Sequence, residues 1–290
     1  MTNYILAMVL GIIGTVTIHL AKCFQRQGIH TFHQSLKNLS NGKKPHRSKT
    51  YMMGVILANS AFFFVIIANR LAPPSYYTSM FGFGLVVLMV YSDKVLKEPI
   101  RTREYIGTAI LVVGTVALGV ENIRNPLEDF SIINYHLVWI TLGIFLLISG
   151  PLLIFSLKKD NHILIGVIFG LITGATASMD PFFKGIGQHL GGTPGFIPSV
   201  PIGWFYFIIS FAFSTTQFLL TQLGFLRRAH ASVLVPIHNT AYIIFPILIQ
   251  QVAVPNYSIT MLTGVGLGLI IFGASLLHPL NKQKFSLDLM

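Results

Sequence analysis

The chain has 290 residues, of which 53% are hydrophobic and only 10% charged, with a mean hydropathy of +0.69. That balance excludes an ordinary soluble globular domain and indicates a polytopic membrane protein. The formal net charge of +11 is carried by short segments between apolar runs, which makes it a topology signal first.

About nine apolar runs reach membrane-spanning length, at roughly 4–23, 51–71, 75–92, 104–121, 136–157, 163–183, 203–226, 231–252 and 258–279, each near the 17 to 25 residues that cross about 30 Å of hydrocarbon. The fold class is therefore all-α and polytopic. The first run follows Met1-Thr2-Asn3, which lacks the positive n-region of a signal peptide, so it reads as a retained helix. His19 and Lys22 lie three residues apart on it, towards its inner end. His19 is a candidate proton-coupling group or a plain hydrogen-bond donor, and Lys22 is expected to snorkel to the interface. Cys23 is the single cysteine, so an intrachain disulfide and a cysteine metal site are both excluded.

The segment 24–50, with Lys37, Lys43, Lys44, Arg47 and Lys49, reads as a basic loop suited to anionic lipid at about 1 kcal/mol per charge. Without aromatics or a fold of its own it is a poor nucleic-acid binder, and no nucleic-acid partner is expected. The second run carries Asn59 and Ser60 at its centre and ends at Arg70, before the turn Leu71-Ala72-Pro73-Pro74. The fourth and ninth carry Gly107 with Gly114 and Gly266 with Gly273 in mid-span, where small residues allow close helix packing. The sixth carries Thr173, Thr176 and Asp180-Pro181, with Lys184 one helical turn beyond. The seventh has Thr215, Thr216 and Gln217 and is closed by Arg227; the eighth has Pro236 followed by His238, Asn239, Thr240 and Tyr242.

Several of these features are written twice, about 157 to 159 residues apart. Arg70-x-Ala72-x-x-Ser75 recurs as Arg227-x-Ala229-x-x-Ser232, Gly11-Ile12-Ile13 as Gly170-Leu171-Ile172, and the two glycine pairs match each other. Five helices, an odd number, fill that offset, so the second copy is expected upside down relative to the first. Inverted repeats around a shared midplane site are a transporter architecture. The expected organisation is a first repeat over 1–121, a connecting loop with the fifth helix over 122–160, and a second repeat over 161–290. The offset matches Asn59 to Thr216 and Ser60 to Gln217, and symmetry sets these pairs facing each other as candidate substrate ligands with His238, Asn239, Thr240 and Tyr242. The plainer reading is that such groups bond to neighbouring helices at about 0.6 kcal/mol each.

Of the 20 lysines and arginines, all but Arg70, Arg124 and Lys184 fall on one side of the expected membrane. The positive-inside rule then puts the N-terminus outside and the C-terminus in the cytoplasm, in the cell (plasma or inner) membrane. Arg70 and Arg227 close helix ends on opposite faces, where the helix dipole favours a cation, and are candidate gating residues. Asp180 is the one acid set within a span and not at its edge. It is either a cation- or proton-binding carboxylate near the outer mouth or half of an interfacial pair with Lys184.

Leu71-Ala72-Pro73 before a helix, Leu96-Lys97-Glu98-Pro99 and the Gly107/Gly114 helix together resemble the repeat unit of the drug/metabolite (EamA-like) transporter superfamily. Within it the chain is similar to NIPA-like magnesium transporters, through Leu71-Ala72-Pro73, Leu96-Lys97-Glu98, Gln217 and Val233-Leu234-Val235-Pro236-Ile237. The resemblance implies a secondary transporter working by alternating access, with Mg2+ or another divalent cation as cargo. Two departures bear on cargo: Phe62 stands where that family often has a glutamate, and Thr78-Ser79-Met80-Phe81 replaces its Pro-Leu-Gly motif. Magnesium wants oxygen ligands in near-octahedral array, commonly with one or two carboxylates, so a small organic metabolite or drug-like compound stays open as the alternative.

No enzyme constellation is present, no Gly-x-Ser-x-Gly elbow and no nucleotide loop set between strand and helix. Neither an enzymatic activity nor a cofactor is expected. A non-transporting scaffold or lipid-handling protein is the reading from another class, and a homodimer is compatible with the chain.

Overall fold

The computed structural model describes residues 2–40, 49–95, 100–125, 133–159, 161–190, 195–227, 229, 231–255 and 257–277. All regular structure among them is helical: α1 (Thr2–Ser40), α2 (Lys49–Leu71), α3 (Pro74–Thr78), α4 (Gly84–Lys94), α5 (Thr102–Arg124), α6 (Tyr135–Lys158), α7 (His162–His189), α8 (Pro201–Leu226), α9 (Ala231–Ala253) and α10 (Met261–Leu276). Seven helices among the described residues are long and apolar enough to cross a membrane, and α10 is a shorter apolar helix of 16 residues. The chain is an all-α polytopic membrane protein, as its apolar runs require.

Two elements depart from the expected runs. The third run is broken into α3, a 3-10 segment at Ser79–Phe83 and α4. Pro74 starts α3 in the position where its missing N–H costs nothing. The Thr78 and Ser79 hydroxyls then bond back to the carbonyls of Ser75 and Tyr76, offering the backbone an alternative to a regular helix. Helix α1, expected to end at 23, runs on to Ser40, a stretch that contains no proline to interrupt it. The basic loop therefore shrinks, and its lysines at 43 and 44 lie outside the described residues, as do Leu96–Pro99 and the C-terminal tail.

Helix α1 packs on α2 and α4, α7 on α8 and α9, and α5 on α10, while α2 meets α7 between the two groups. Glycines allow backbones to come close at several of these seams. A Cβ on Gly107 would lie 2.7 Å from the Gly273 carbonyl oxygen, and one on Gly114 would lie 2.7 Å from that of Gly266. On α1, a Cβ on Gly11 would meet the Tyr77 carbonyl at 2.9 Å; on α7, one on Gly170 would meet the Leu234 carbonyl at 2.8 Å. Thr15 donates to the Phe81 carbonyl at 2.8 Å, and Gly174 abuts the His238 carbonyl.

Candidate functional site

A cavity of about 220 Å³ lies between α1, α2, α7, α8, α9 and the 3-10 segment. Each helix contributes residues at helical spacing, so one stripe of each faces inward. From α1 come Ile18, Lys22 and Gln25; from α2 Asn59, Phe62 and Val65; from α7 Ala177, Asp180 and Lys184. Helix α8 supplies Gln217, Phe218, Thr221 and Gln222, α9 supplies His238 and Tyr242, and Phe81 enters from the 3-10 segment.

Five candidates named from the sequence thus line one space: Asn59, Asp180, Gln217, His238 and Tyr242. Their matched neighbours do not. Ser60 bonds to the Leu57 carbonyl at 2.8 Å, and Thr216 is exposed on the outer surface of α8. Successive helical residues point about 100° apart, so one member of each adjacent pair must turn away, and the cavity sets Asn59 with Gln217 rather than the pairs the repeat offset joins. Thr240 bonds to the Pro236 carbonyl at 3.0 Å and Asn239 is buried against α1, both off the cavity. Arg70 lies over the Phe196 ring at 4.1 Å and Arg227 is exposed at the end of α8; neither lines the cavity.

Asp180 and Lys184 are paired one helical turn apart, and the pair is buried: the lysine side chain is 0% exposed and that of the aspartate 13%. The pair is thus packed inside the protein and not open to water. Lys184 Nζ also lies over the Phe211 ring at 4.3 Å from its centroid. Pro181 carries no N–H for the Ala177 carbonyl, and its own carbonyl accepts from Asn69 Nδ2 at 2.9 Å, tying α7 to α2.

His19 lies beside the cavity as a helix bridge. Its Nδ1 is 2.7 Å from the Thr15 carbonyl, which can only accept, so Nδ1 carries the proton and Nε2 accepts from Asn239 Nδ2 at 2.7 Å. His238 is anchored in a similar way. The Thr173 hydroxyl gives its hydrogen to the Phe169 carbonyl at 2.6 Å, so it accepts from His238 Nδ1 at 3.0 Å. That leaves Nε2 as the His238 nitrogen for a solute.

Several polar lining groups have no place among the candidates read from the sequence. Lys22, expected at the interface, turns inward; its Nζ is buried with no hydrogen-bond acceptor among the described residues and lies 5.7 Å from the Phe81 ring centroid. Gln25 and Gln222 form a chain at the same end: Tyr51 donates to Gln222 at 3.4 Å, Gln222 to Gln25 at 3.2 Å, and Gln25 to the Gly54 carbonyl at 3.2 Å. Ile18, Lys22 and Gln25 share one helix face, but their spacing alone does not say that this face points inward. Glu121, the last residue of the 104–121 run, is also buried and accepts from Asn125 Nδ2 at 2.7 Å. It lies away from the cavity. Among the described residues no three His, Cys, Asp or Glu side chains gather as a metal site.

No family model matches the chain, and no solved structure matches it. Over 141 residues it is 25% identical to the probable magnesium transporter NIPA9 of Arabidopsis thaliana, an alignment that covers 46% of this chain and 40% of that relative. The match therefore spans less than half of the relative's own length.

Proposed function

We propose that this chain is a secondary transporter of the drug/metabolite superfamily that moves a small solute across its membrane by alternating access. The observation that carries the reading is the cavity. It lies among five long apolar helices and the broken third segment, is lined by Asn59, Gln217, His238 and Tyr242 among aromatic side chains, and is small beside the roughly 300 to 1,000 Å³ of drug-sized pockets. Two inverted repeats, over 1–121 and 161–290 with a connector over 122–160, supply the moving halves. In support, the approach of Gly11 to the Tyr77 carbonyl recurs as Gly170 to that of Leu234, and Thr15 at the Phe81 carbonyl as Gly174 at that of His238. The Gly107–Gly273 and Gly114–Gly266 contacts cross over in the manner a two-fold axis requires. The charge bias orients the N-terminus outward and the C-terminus to the cytoplasm.

Magnesium or another divalent cation is the cargo that the likeness to NIPA9 suggests. A small organic metabolite is the second reading, and the donor set favours it: the one carboxylate among the described lining residues, Asp180, is already paired with Lys184, and Lys22 adds a further amine. Flux in proteoliposomes, comparing magnesium with a metabolite panel under an imposed pH gradient, tests both. Saturable, counterflow-competent uptake of one class identifies the cargo. No saturable flux of any solute by folded protein would overturn the carrier reading in favour of a scaffold or lipid-handling role.

A further inference from the structure

We propose that the cavity is an anion site, built for a small organic monocarboxylate with a flat apolar body whose carboxylate is held by Lys22. The inference takes the cavity as the solute site, in line with the carrier reading above, and names its ligand class. Charge is the first argument. Among the described residues, two lysines and one aspartate line the cavity, and Asp180 is consumed by Lys184. The histidine beside it and the one lining it are held as hydrogen-bonded rings by Thr15, Asn239 and Thr173. The amine left over is Lys22, buried with no acceptor among the described residues. A buried ammonium is costly unless paired, so a monoanion completes the cavity, whereas a cation there would meet two lysines for one carboxylate.

The lining chemistry is the second argument. Phe62, Phe81, Phe211, Phe218 and Tyr242 all face the space. Phe81 and Tyr242 stack at 3.8 Å between centroids, and Phe62 meets Phe211 edge-on at 6.2 Å, so the walls are aromatic surfaces suited to a planar apolar group. An inorganic anion would leave these walls without a partner. Lys22, with a flexible four-carbon stem, lies at the Gln25 and Gln222 end of the cavity, away from the Asp180 carboxylate on α7, which would repel the solute's own. A cavity of about 220 Å³ admits a single-ring acid and excludes larger drugs.

The test is binding to the detergent-purified full chain by equilibrium dialysis, with benzoate as probe and its neutral and cationic counterparts, benzamide and benzylamine, as controls of the same shape. Benzoate is expected to bind and the controls to bind at least tenfold more weakly. Lys22→Met, which keeps length and removes charge, should lose benzoate affinity tenfold or more, since a hydrogen bond to a charged group is worth at least that ratio, while Lys22→Arg retains it. Equal binding of benzoate and benzamide to the wild-type protein, tighter binding of benzylamine, or unchanged benzoate binding by a monodisperse Lys22→Met protein would each overturn the proposal. Because dialysis needs no flux, a failure here leaves the carrier reading standing, and binding without transport would remove the carrier reading alone.

Discussion

Breaking the Asp180–Lys184 pair one partner at a time should cost more stability than removing both. The pair is buried, with 0% and 13% side-chain exposure, and truncating one member of a buried ion pair costs about 3 to 5 kcal/mol because the survivor is left uncompensated. Asp180→Asn should fall near the lower figure, about 3 kcal/mol, since the remaining ammonium keeps the Phe211 ring at 4.3 Å and such contacts return up to about 2 kcal/mol when desolvated. Lys184→Met should approach about 5 kcal/mol, because the stranded carboxylate has no such ring to turn to. The double variant buries no unpaired charge and should lose less than either single change. Unfolding by SDS titration in mixed micelles reads all four corners of the cycle. Trp139, whose ring lies 5.5 Å from that of Phe183, gives a fluorescence signal from the packing of α6 on α7. Losses that simply add, within about 0.5 kcal/mol, would mean that the two side chains do not interact, and the reasoning would fail.

Orientation is checked with single cysteines at Asn125 and Lys159, both exposed, in a Cys23→Ser background; an impermeant thiol reagent should label Asn125→Cys from outside and Lys159→Cys only after permeabilisation, and labelling of both in intact cells would reverse or abolish the assigned topology. Gln217→Leu and Asn239→Leu should separate function from structure. The first removes a cavity-lining amide and should lower transport without lowering stability, whereas the second strands His19 Nε2 and should cost about 1 to 3 kcal/mol in unfolding. Identical behaviour of the two variants would refute the division. Gly114→Val places a Cβ about 2.7 Å from the Gly266 carbonyl and should destabilise by at least about 1 to 3 kcal/mol as overpacking does; Gly264→Ala on the same partner helix, where a Cβ meets nothing within 4 Å, should be silent.

The sequence alone determined most of the spans, the helices that pack closely through glycine and the Asp180–Lys184 spacing, because each rests on local chemistry: the length of an apolar run, the size of a side chain, and a separation of one helical turn. It also supplied Asn59, Gln217, His238 and Tyr242 as cavity residues, since polar groups at the centre of a span are costly to leave facing lipid. The rest was decided in three dimensions. In helices that are apolar all round, periodicity does not say which stripe faces inward, so Ser60 and Thr216 were as eligible as Asn59 and Gln217 until the neighbouring helices took their places. Lys22 was assigned to the interface because a lysine near a helix end can reach water; the packing of α1 against α2 and the approach of Phe81 turn it into the cavity instead. His19 and Asn239 lie 220 residues apart, and no local rule joins them. Their bond exists because α1 and α9 are brought together by the fold, which makes His19 a strut between two helices.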